Sequence, residues 1–185
     1  TKMRLKISLF LAITLILIAI LAPIIFPYDP TLGNLEDKFL PPSLEHWLGT
    51  DHLGRDILSR LGHGARISIF SVFIISLLIA MSSFFVGIVA GYKGGILDNT
   101  LMRICDVFLT FPTFILALFF IAIFGVGITN VILAIFLTHW AWYARMVRSI
   151  VLEVKTQKYI QAAKMLGGSD FKIMIKHILP AVFVQ

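Results

Sequence analysis

The chain has 185 residues, of which 58% are hydrophobic and 14% are charged, and its mean hydropathy is +0.93. Because a soluble domain is about half apolar and about a quarter charged, this composition excludes an ordinary soluble domain and predicts an integral membrane protein. The net charge of +6 comes from basic residues that flank apolar runs, so it reports membrane topology rather than nucleic-acid binding. The single cysteine, Cys105, excludes an internal disulfide.

The first apolar run covers residues 7–26 and contains no charged residue. It follows Lys2, Arg4 and Lys6, as the apolar part of a signal peptide would. The run is too long for a signal peptide, however, and no small-residue cleavage site follows it. Because a spanning helix needs about 20 apolar residues, we predict a first transmembrane helix here.

Residues 27–66 are polar and rich in proline and glycine, and three further apolar runs follow. The runs cover 67–91, 107–124 and 131–147, and 181–185 has the character of the first turn of a fifth span. Long uninterrupted runs favour helices over the alternating pattern of a barrel, so we predict an all-α bundle of transmembrane helices. Pro112 is predicted to kink or to start the third span. The G-x-x-x-G pair of Gly87 and Gly91 predicts close helix packing, either within the chain or with another subunit.

The distribution of Lys and Arg predicts the orientation. If the N-terminus is cytoplasmic, twelve of the 16 basic residues lie on the cytoplasmic side and four lie on the outer side. Cytoplasmic loops carry the excess of Lys and Arg. The sequence therefore predicts a multi-pass membrane protein with its N-terminus on the cytoplasmic side.

The segment after the fourth apolar run is basic and amphipathic. Its first helix is predicted to carry one apolar stripe, formed by Tyr159, Ala162, Ala163 and Leu166. The pair Gly167–Gly168 is predicted to stop that helix through a left-handed cap. Ser169 or Asp170 would cap a second helix, which has its own apolar stripe. The second stripe consists of Phe171, Met174, Ile175 and Ile178. The pattern alone fits both a helix lying against anionic lipid and a surface that docks another protein.

This segment resembles the EAA loop in the membrane subunits of ATP-binding-cassette importers. The matching positions are Ala162, Ala163, Gly167, His177, Ile178, Leu179 and Pro180. Gln161 stands where the family usually has glutamate, so a hydrogen bond rather than a salt bridge is expected there. The resemblance implies that residues 153–180 contain the coupling helix, which sits in a cleft of a separate ATPase subunit. It assigns the coupling role to Tyr159, Gln161, Ala162, Ala163, Leu166, Gly167, Gly168, Phe171, His177, Leu179 and Pro180.

The resemblance also implies a bacterial cytoplasmic (inner) membrane as the setting. It implies as partners a second permease subunit, in a heterodimer or a homodimer, two cytoplasmic ATPases, an external substrate-binding protein and the lipid bilayer. The chain lacks a G-x-x-x-x-G-K-[ST] phosphate loop, so ATP and Mg²⁺ are expected on the partner subunits and no cofactor on this chain. It also lacks paired catalytic carboxylates, an H-E-x-x-H motif and a serine elbow, and we predict that it is not an enzyme. The family has six spans, so the last two are expected to be missing here. We predict two regions, a helix with an outer loop at 1–66 and an incomplete permease domain at 67–185.

Further stretches narrow the resemblance to importers of the dipeptide, oligopeptide and nickel class. These stretches read PYDP, HWLGTDHLGRDILSRLGHGARIS, RICDVFLTFP and YIQAAKMLGGS. The run LTHWAWYARMVRSIVL, together with His52, resembles the C-type permease of nickel importers most. The resemblance therefore implies nickel import, with import of di- or oligopeptides as the alternative.

Several polar residues are candidates for the substrate pathway. His139 lies within the fourth apolar run beside Trp140 and Trp142, and a neutral imidazole is a good ligand for Ni²⁺. A hydrogen bond to a neighbouring helix would explain the same histidine. His52 and Asp56 are the outer candidates, so His139 and His52 are the predicted metal contacts. His46 and His63 would complete an outer cluster, while Asp56 beside Arg55 would equally suit a structural ion pair.

Overall fold

The computed structural model describes residues 2–26 and 28–184. No strand occurs among these residues, which confirms the predicted all-α class. Thr1, the Pro27 that opens the PYDP stretch, and Gln185 at the end of the predicted fifth span lie outside the described residues. The helices are α1 (Lys2–Ile25), α2 (Ile57–Lys93), α3 (Gly95–Thr110), α4 (Thr113–Phe124), α5 (Ile128–Val154), α6 (Lys158–Met165), α7 (Asp170–Ile173) and α8 (Leu179–Val184). A 3₁₀ turn at Leu35–Asp37 and a π-helical turn at Met174–Ile178 complete the described elements.

Two of the described helices are long and apolar enough to cross a membrane, Met3–Ala22 within α1 and the whole of α2. The pair α3 and α4 is apolar enough to count as a third span, but it is bent by 90°. By length and composition the described helices thus supply two spans, or three if the bent pair is one span, and the fourth predicted run is not among them. The fourth predicted run lies within α5, where His139 and Arg145 interrupt the apolar sequence.

Pro112 separates α3 from α4. Phe111 ends α3 with extended backbone angles (φ −87°, ψ 139°), as steric contact with a following proline requires. Pro112 then occupies the N-cap position of α4. The predicted third span at 107–124 is thus not one helix. Since a helix rises 1.5 Å per residue, the 12 residues of α4 cover only about 18 Å.

Helix α2 begins ten residues before the apolar run that predicted it. The Asp56 carboxylate accepts the backbone N–H of Ser59 at 2.7 Å, which satisfies one of the free donors of the first helical turn. Aspartate is a preferred N-cap residue, so this start was readable from the sequence but was assigned to the polar loop.

The chain consists of two compact units, Thr1–Phe73 and Ile74–Gln185. In the second unit α5 packs against α3, α4 and α8. Gly87 and Gly91 lie directly against α5, because a Cβ atom at Gly87 would be 2.7 Å from the Ala144 carbonyl oxygen and one at Gly91 would be 2.9 Å from the Val151 side chain. The G-x-x-x-G pair therefore packs α2 against α5 within the same chain, which is one of the two alternatives predicted for it.

Candidate functional site: the segment after α5 and the polar residues of the outer loop

The segment that follows α5 is tied to the end of α2 by two polar contacts. Lys155 donates from Nζ to the carbonyl oxygen of Gly91 at 2.8 Å, next to the C-terminal end of α2. The Tyr92 hydroxyl donates to the Asp170 carboxylate at 2.9 Å. A cation near a helix C-terminus also interacts favourably with the helix dipole. These contacts join residues 64 and 78 positions apart in sequence, so no local pattern predicted them.

One side of the segment is buried in an apolar core. Ile160, Ile173 and Ile178 are each at most 3% exposed and belong to one cluster with Val151 and Val154 at the end of α5. Burying such a side chain stabilises a fold in water by about 1.5–3 kcal/mol. The segment is therefore packed firmly onto α5, and a displacement of one would be transmitted to the other.

The opposite side of the segment is apolar and exposed. Met165 and Leu166 are each 88% exposed, and Phe171 and Tyr159 are 69% and 50% exposed. Ala162 is also exposed. Large apolar side chains exposed together on one surface are typical of a contact with a partner or with lipid. Of the predicted first stripe, only Ala163 is partly buried, so the stripe faces outward rather than into the core.

The end of α6 is a Schellman motif, as the pair Gly167–Gly168 predicted. Gly167 has a φ of +79°, its N–H donates to the Lys164 carbonyl at 3.1 Å, and the Gly168 N–H donates to the Ala163 carbonyl at 3.1 Å. These are the two bonds that define the motif, and glycine is the residue that adopts the left-handed conformation without strain. A Cβ atom at Gly168 would approach the Ala163 carbonyl oxygen to 2.8 Å, so both glycines are needed.

The second helix differs from the prediction in two ways. Ser169 occupies the N-cap position of α7 but its side chain makes no capping hydrogen bond, and Asp170 binds Tyr92 instead. The predicted second stripe is also out of register, because Ile173 and Ile178 are buried while Phe171 and Ile175 are exposed.

The π-helical turn at Met174–Ile178 explains the change of register, since its wider turn shifts the side chains relative to an α-helix. Pro180 lies immediately beyond, as the second residue of α8. Its ring would clash with the Lys176 carbonyl in a regular α-helix, and the π-helical turn accommodates it.

Three remaining residues of the predicted coupling set have distinct surroundings. Gln161 donates from Nε2 to the Thr156 carbonyl at 3.1 Å, a bond that a glutamate could not make. His177 is partly buried, with its ring centroid 6.5 Å from that of Tyr159. Leu179 packs at the edge of the apolar core.

The three predicted pathway residues of α5 do not share one environment. His139 is exposed, and its Nδ1 lies 2.9 Å from the Ile135 carbonyl oxygen of its own helix and 2.9 Å from the Thr138 hydroxyl. Trp140 packs edge-on against Phe108 at 5.4 Å, and Trp142 is 56% exposed. His139 and Trp142 are three residues apart and share one exposed side of α5, whereas Trp140 points away from them toward Phe108 of α3.

Among the outer candidates only one pair is in contact. His46 Nδ1 lies 3.0 Å from an Asp56 carboxylate oxygen, whereas His52 is exposed in a turn. Within 2–26 and 28–184 there is no group of three or more His, Cys, Asp or Glu side chains that could hold a metal ion, so the outer cluster is not assembled. Arg55 pairs with Asp51 at 2.8 Å and not with Asp56.

Hydrogen bonds hold both outer aspartates in their charged form. Burial raises the pKa of Asp56, but the backbone N–H of Ser59 and the His46 ring outweigh it, so the pKa lies below its ordinary value. The Arg55 side chain holds the pKa of Asp51 well below its usual range, although partial desolvation opposes it. Asp51 also accepts the backbone N–H of Leu53 at 2.8 Å. Both carboxylates thus organise the loop that precedes α2.

Sequence reasoning missed two ion pairs between α3 and α5. Arg148 of α5 binds the partly buried Asp98 of α3 through two bonds, at 2.5 Å from Nε and 2.6 Å from Nη2. Arg145, one turn before Arg148, forms an exposed pair with Asp106 of α3. The partners of each pair lie on different helices and far apart in sequence, so no spacing indicated them.

Residues 83–184 match the family described as the binding-protein-dependent transport system inner membrane component. This match covers more than half of the chain and includes the whole segment after α5. The chain belongs to this family. It is therefore an inner-membrane permease component of the kind that the EAA-like loop indicated, and the apolar helices fit that setting.

Relatives within this permease family carry several substrates. The chain is 42% identical to the nickel transport system permease protein NikC of Escherichia coli strain K12, over 98% of the chain and 66% of NikC. It is 37% identical to the dipeptide transport system permease protein DppC of Bacillus subtilis strain 168, over 96% of the chain and 57% of DppC. It is 39% identical to the metal-staphylopine import system permease protein CntC of Staphylococcus aureus strain NCTC 8325, over 94% of the chain and 60% of CntC. The chain thus spans less than two thirds of the length of these relatives.

Proposed function

We propose that this chain is part of a permease subunit of an ATP-driven importer for nickel ions. The observation that carries the proposal is the 42% identity to NikC over 98% of the chain. In this proposal the subunit is not catalytic. ATP and Mg²⁺ bind to two cytoplasmic ATPase subunits, and ATP hydrolysis there is coupled to movement of the substrate across the membrane.

The coupling element in this proposal is the segment 153–180. Its buried side fixes it to α5 and its exposed apolar side, which includes Ala162, Leu166 and Phe171, is available for an ATPase cleft. A rigid-body movement can be transmitted only through a firm helix, and the Schellman motif and the two contacts to α2 supply that firmness.

The proposal also includes the setting of the chain. The N-terminus lies in the cytoplasm, 1–66 form a helix with an outer loop, and 67–185 form the permease region. A second permease subunit would complete the pathway, and an external binding protein would deliver the substrate. His139, Trp140, Trp142, His52 and Asp56 remain proposed pathway residues, with His139 and His52 as metal contacts.

A di- or oligopeptide is the second candidate substrate, supported by the 37% identity to DppC and to the oligopeptide permease OppC of Bacillus subtilis. The two candidates are separated by uptake of radiolabelled nickel and of a labelled dipeptide in a bacterial strain from which the transporter genes are deleted and then restored at full length. Restored nickel uptake with unchanged dipeptide uptake is the expected result. Restored dipeptide uptake alone would overturn the nickel proposal and keep the coupling loop.

A further inference from the structure

A polar cleft of about 730 Å³ lies between α3 and α5. It is situated at the end of these helices that leads into the segment 153–180, since Arg145 and Arg148 lie within the last three turns of α5. The residues that line it are Asn99, Met102, Arg103, Asp106, Arg145 and Arg148. Three of these six side chains are guanidinium groups, so the cleft is suited to an anion.

The charges around the cleft leave one cation in excess. Arg148 is held by Asp98 through two bonds, and Arg145 is paired with Asp106. Arg103 is exposed and makes no ion pair within the part of the chain that the structure describes. An anion with one negative charge would therefore balance the cleft.

Apolar side chains flank the cleft on the neighbouring surface of α3. Ile96, Ile104 and Val107 are 86%, 44% and 60% exposed. Along α3, Ile104 and Val107 directly follow Arg103 and Asp106, and Ile96 lies one turn before Asn99. A polar, cationic cleft beside an exposed apolar strip matches a molecule that has an anionic head and a hydrocarbon tail.

We infer that this cleft binds the phosphate group of an anionic phospholipid, with Arg103 as the residue that supplies the unpaired charge. The planar guanidinium forms two parallel hydrogen bonds to phosphate oxygens, and a phosphodiester carries the single charge that the cleft lacks. Basic pockets between transmembrane helices on the cytoplasmic side bind such head groups. Soluble phosphate has the same anion chemistry but would leave the apolar strip uncovered, whereas a phospholipid would cover it with its tail. The inference needs the membrane setting of the family and is independent of the transported substrate.

The test measures phospholipid retained by the complete transporter complex in native mass spectrometry, after incubation with phosphatidylglycerol or with phosphatidylcholine. The expected result is preferential retention of phosphatidylglycerol, reduced about five-fold in Arg103→Gln, since one cation near a membrane surface is worth about that much. Arg103→Lys keeps the charge without the planar fork and should give an intermediate value. Lys93→Gln removes one exposed cation from the same end of the bundle outside the cleft, and it should retain lipid as the natural sequence does.

Two results would overturn the inference. Equal retention by Arg103→Gln and the natural sequence would mean that the cleft does not hold the lipid, and an equal loss in Lys93→Gln would mean that overall charge is responsible. A third arm adds inorganic phosphate at millimolar concentration. Displacement of phosphatidylglycerol by inorganic phosphate alone would assign the cleft to a soluble anion and reject the lipid.

Discussion

Replacement of Gly167 tests whether the end of α6 must be fixed for coupling. The residue has a φ of +79° and a Cβ atom there would meet nothing within 4 Å, so the cost of a side chain is backbone strain alone. A non-glycine residue in this conformation costs about 1–2 kcal/mol, and a β-branched residue lies at the upper end. We therefore expect Gly167→Val to reduce the population of the Schellman motif about 5- to 30-fold. Asn tolerates the left-handed conformation, so Gly167→Asn should keep most of the population of the Schellman motif.

The assay is the amount of substrate taken up per ATP hydrolysed, measured with the complete transporter in proteoliposomes. We expect Gly167→Val to hydrolyse ATP with little uptake and Gly167→Asn to approach the natural ratio. Gly95→Val is the control, because Gly95 also has a positive φ, +64°, with nothing within 4 Å, and lies outside 153–180. A natural ratio in Gly167→Val, or the same loss in Gly95→Val, would refute the reasoning.

Three further predictions concern the fold around the segment. Asp98→Ala should destabilise the complex by about 3 kcal/mol in thermal unfolding, because it leaves the partly buried charge of Arg148 unpaired. Combining Asp98→Ala with Arg148→Met should recover most of that loss. If the losses of the two single variants simply add in the double variant, the pairing is contradicted. Gly87→Ala should cost about 1–3 kcal/mol because the new methyl group meets a backbone carbonyl, whereas Gly64→Ala, which points into open space, should be neutral or stabilising in the same unfolding assay. The pKa of Asp51 is lowered in the folded loop, so its contribution to the stability of the loop is complete above about pH 4 and declines as the pH falls toward the pKa of the folded state. Pepsin should therefore cleave 28–56 faster as the pH falls from 4 to 2, and this increase should be smaller in Asp51→Asn, where Asp56 still titrates; an unchanged pH profile in that variant would reject the role of the Asp51 carboxylate.

The local features of the coupling segment were predictable because they depend on neighbouring residues. The Gly167–Gly168 pair predicts a left-handed cap from the conformational freedom of glycine, and the structure has the Schellman motif there. The break at Pro112 follows from the same kind of local rule, since proline restricts the residue before it. The 90° bend that accompanies the break depends on the packing of α4 against α5, which no local rule gives.

The contacts that attach the segment to the rest of the chain were not predictable. Tyr92 and Asp170 are 78 residues apart, and their hydrogen bond exists only because two helices end at the same place. The register of the second stripe was also wrong, because the π-helical turn before Pro180 breaks the period of 3.6 residues on which the prediction depended. The outer metal cluster is not assembled because His46 and His52 lie in the turns before Ile57 while His63 lies within α2, so their closeness in sequence does not bring the side chains together.

In the proposed function the exposed face of α6 contacts an ATPase subunit and not lipid. The direct measurement is photo-crosslinking from single cysteines in the complete transporter, after the buried Cys105 and any cysteine outside these 185 residues are replaced by alanine. A photoreactive label at Ala162→Cys or Leu166→Cys should crosslink to the ATPase, while the same label at Leu44→Cys, which is 96% exposed in the outer loop, should not. Crosslinks from positions 162 and 166 to phospholipid alone would contradict the claim and would make the segment an interfacial helix.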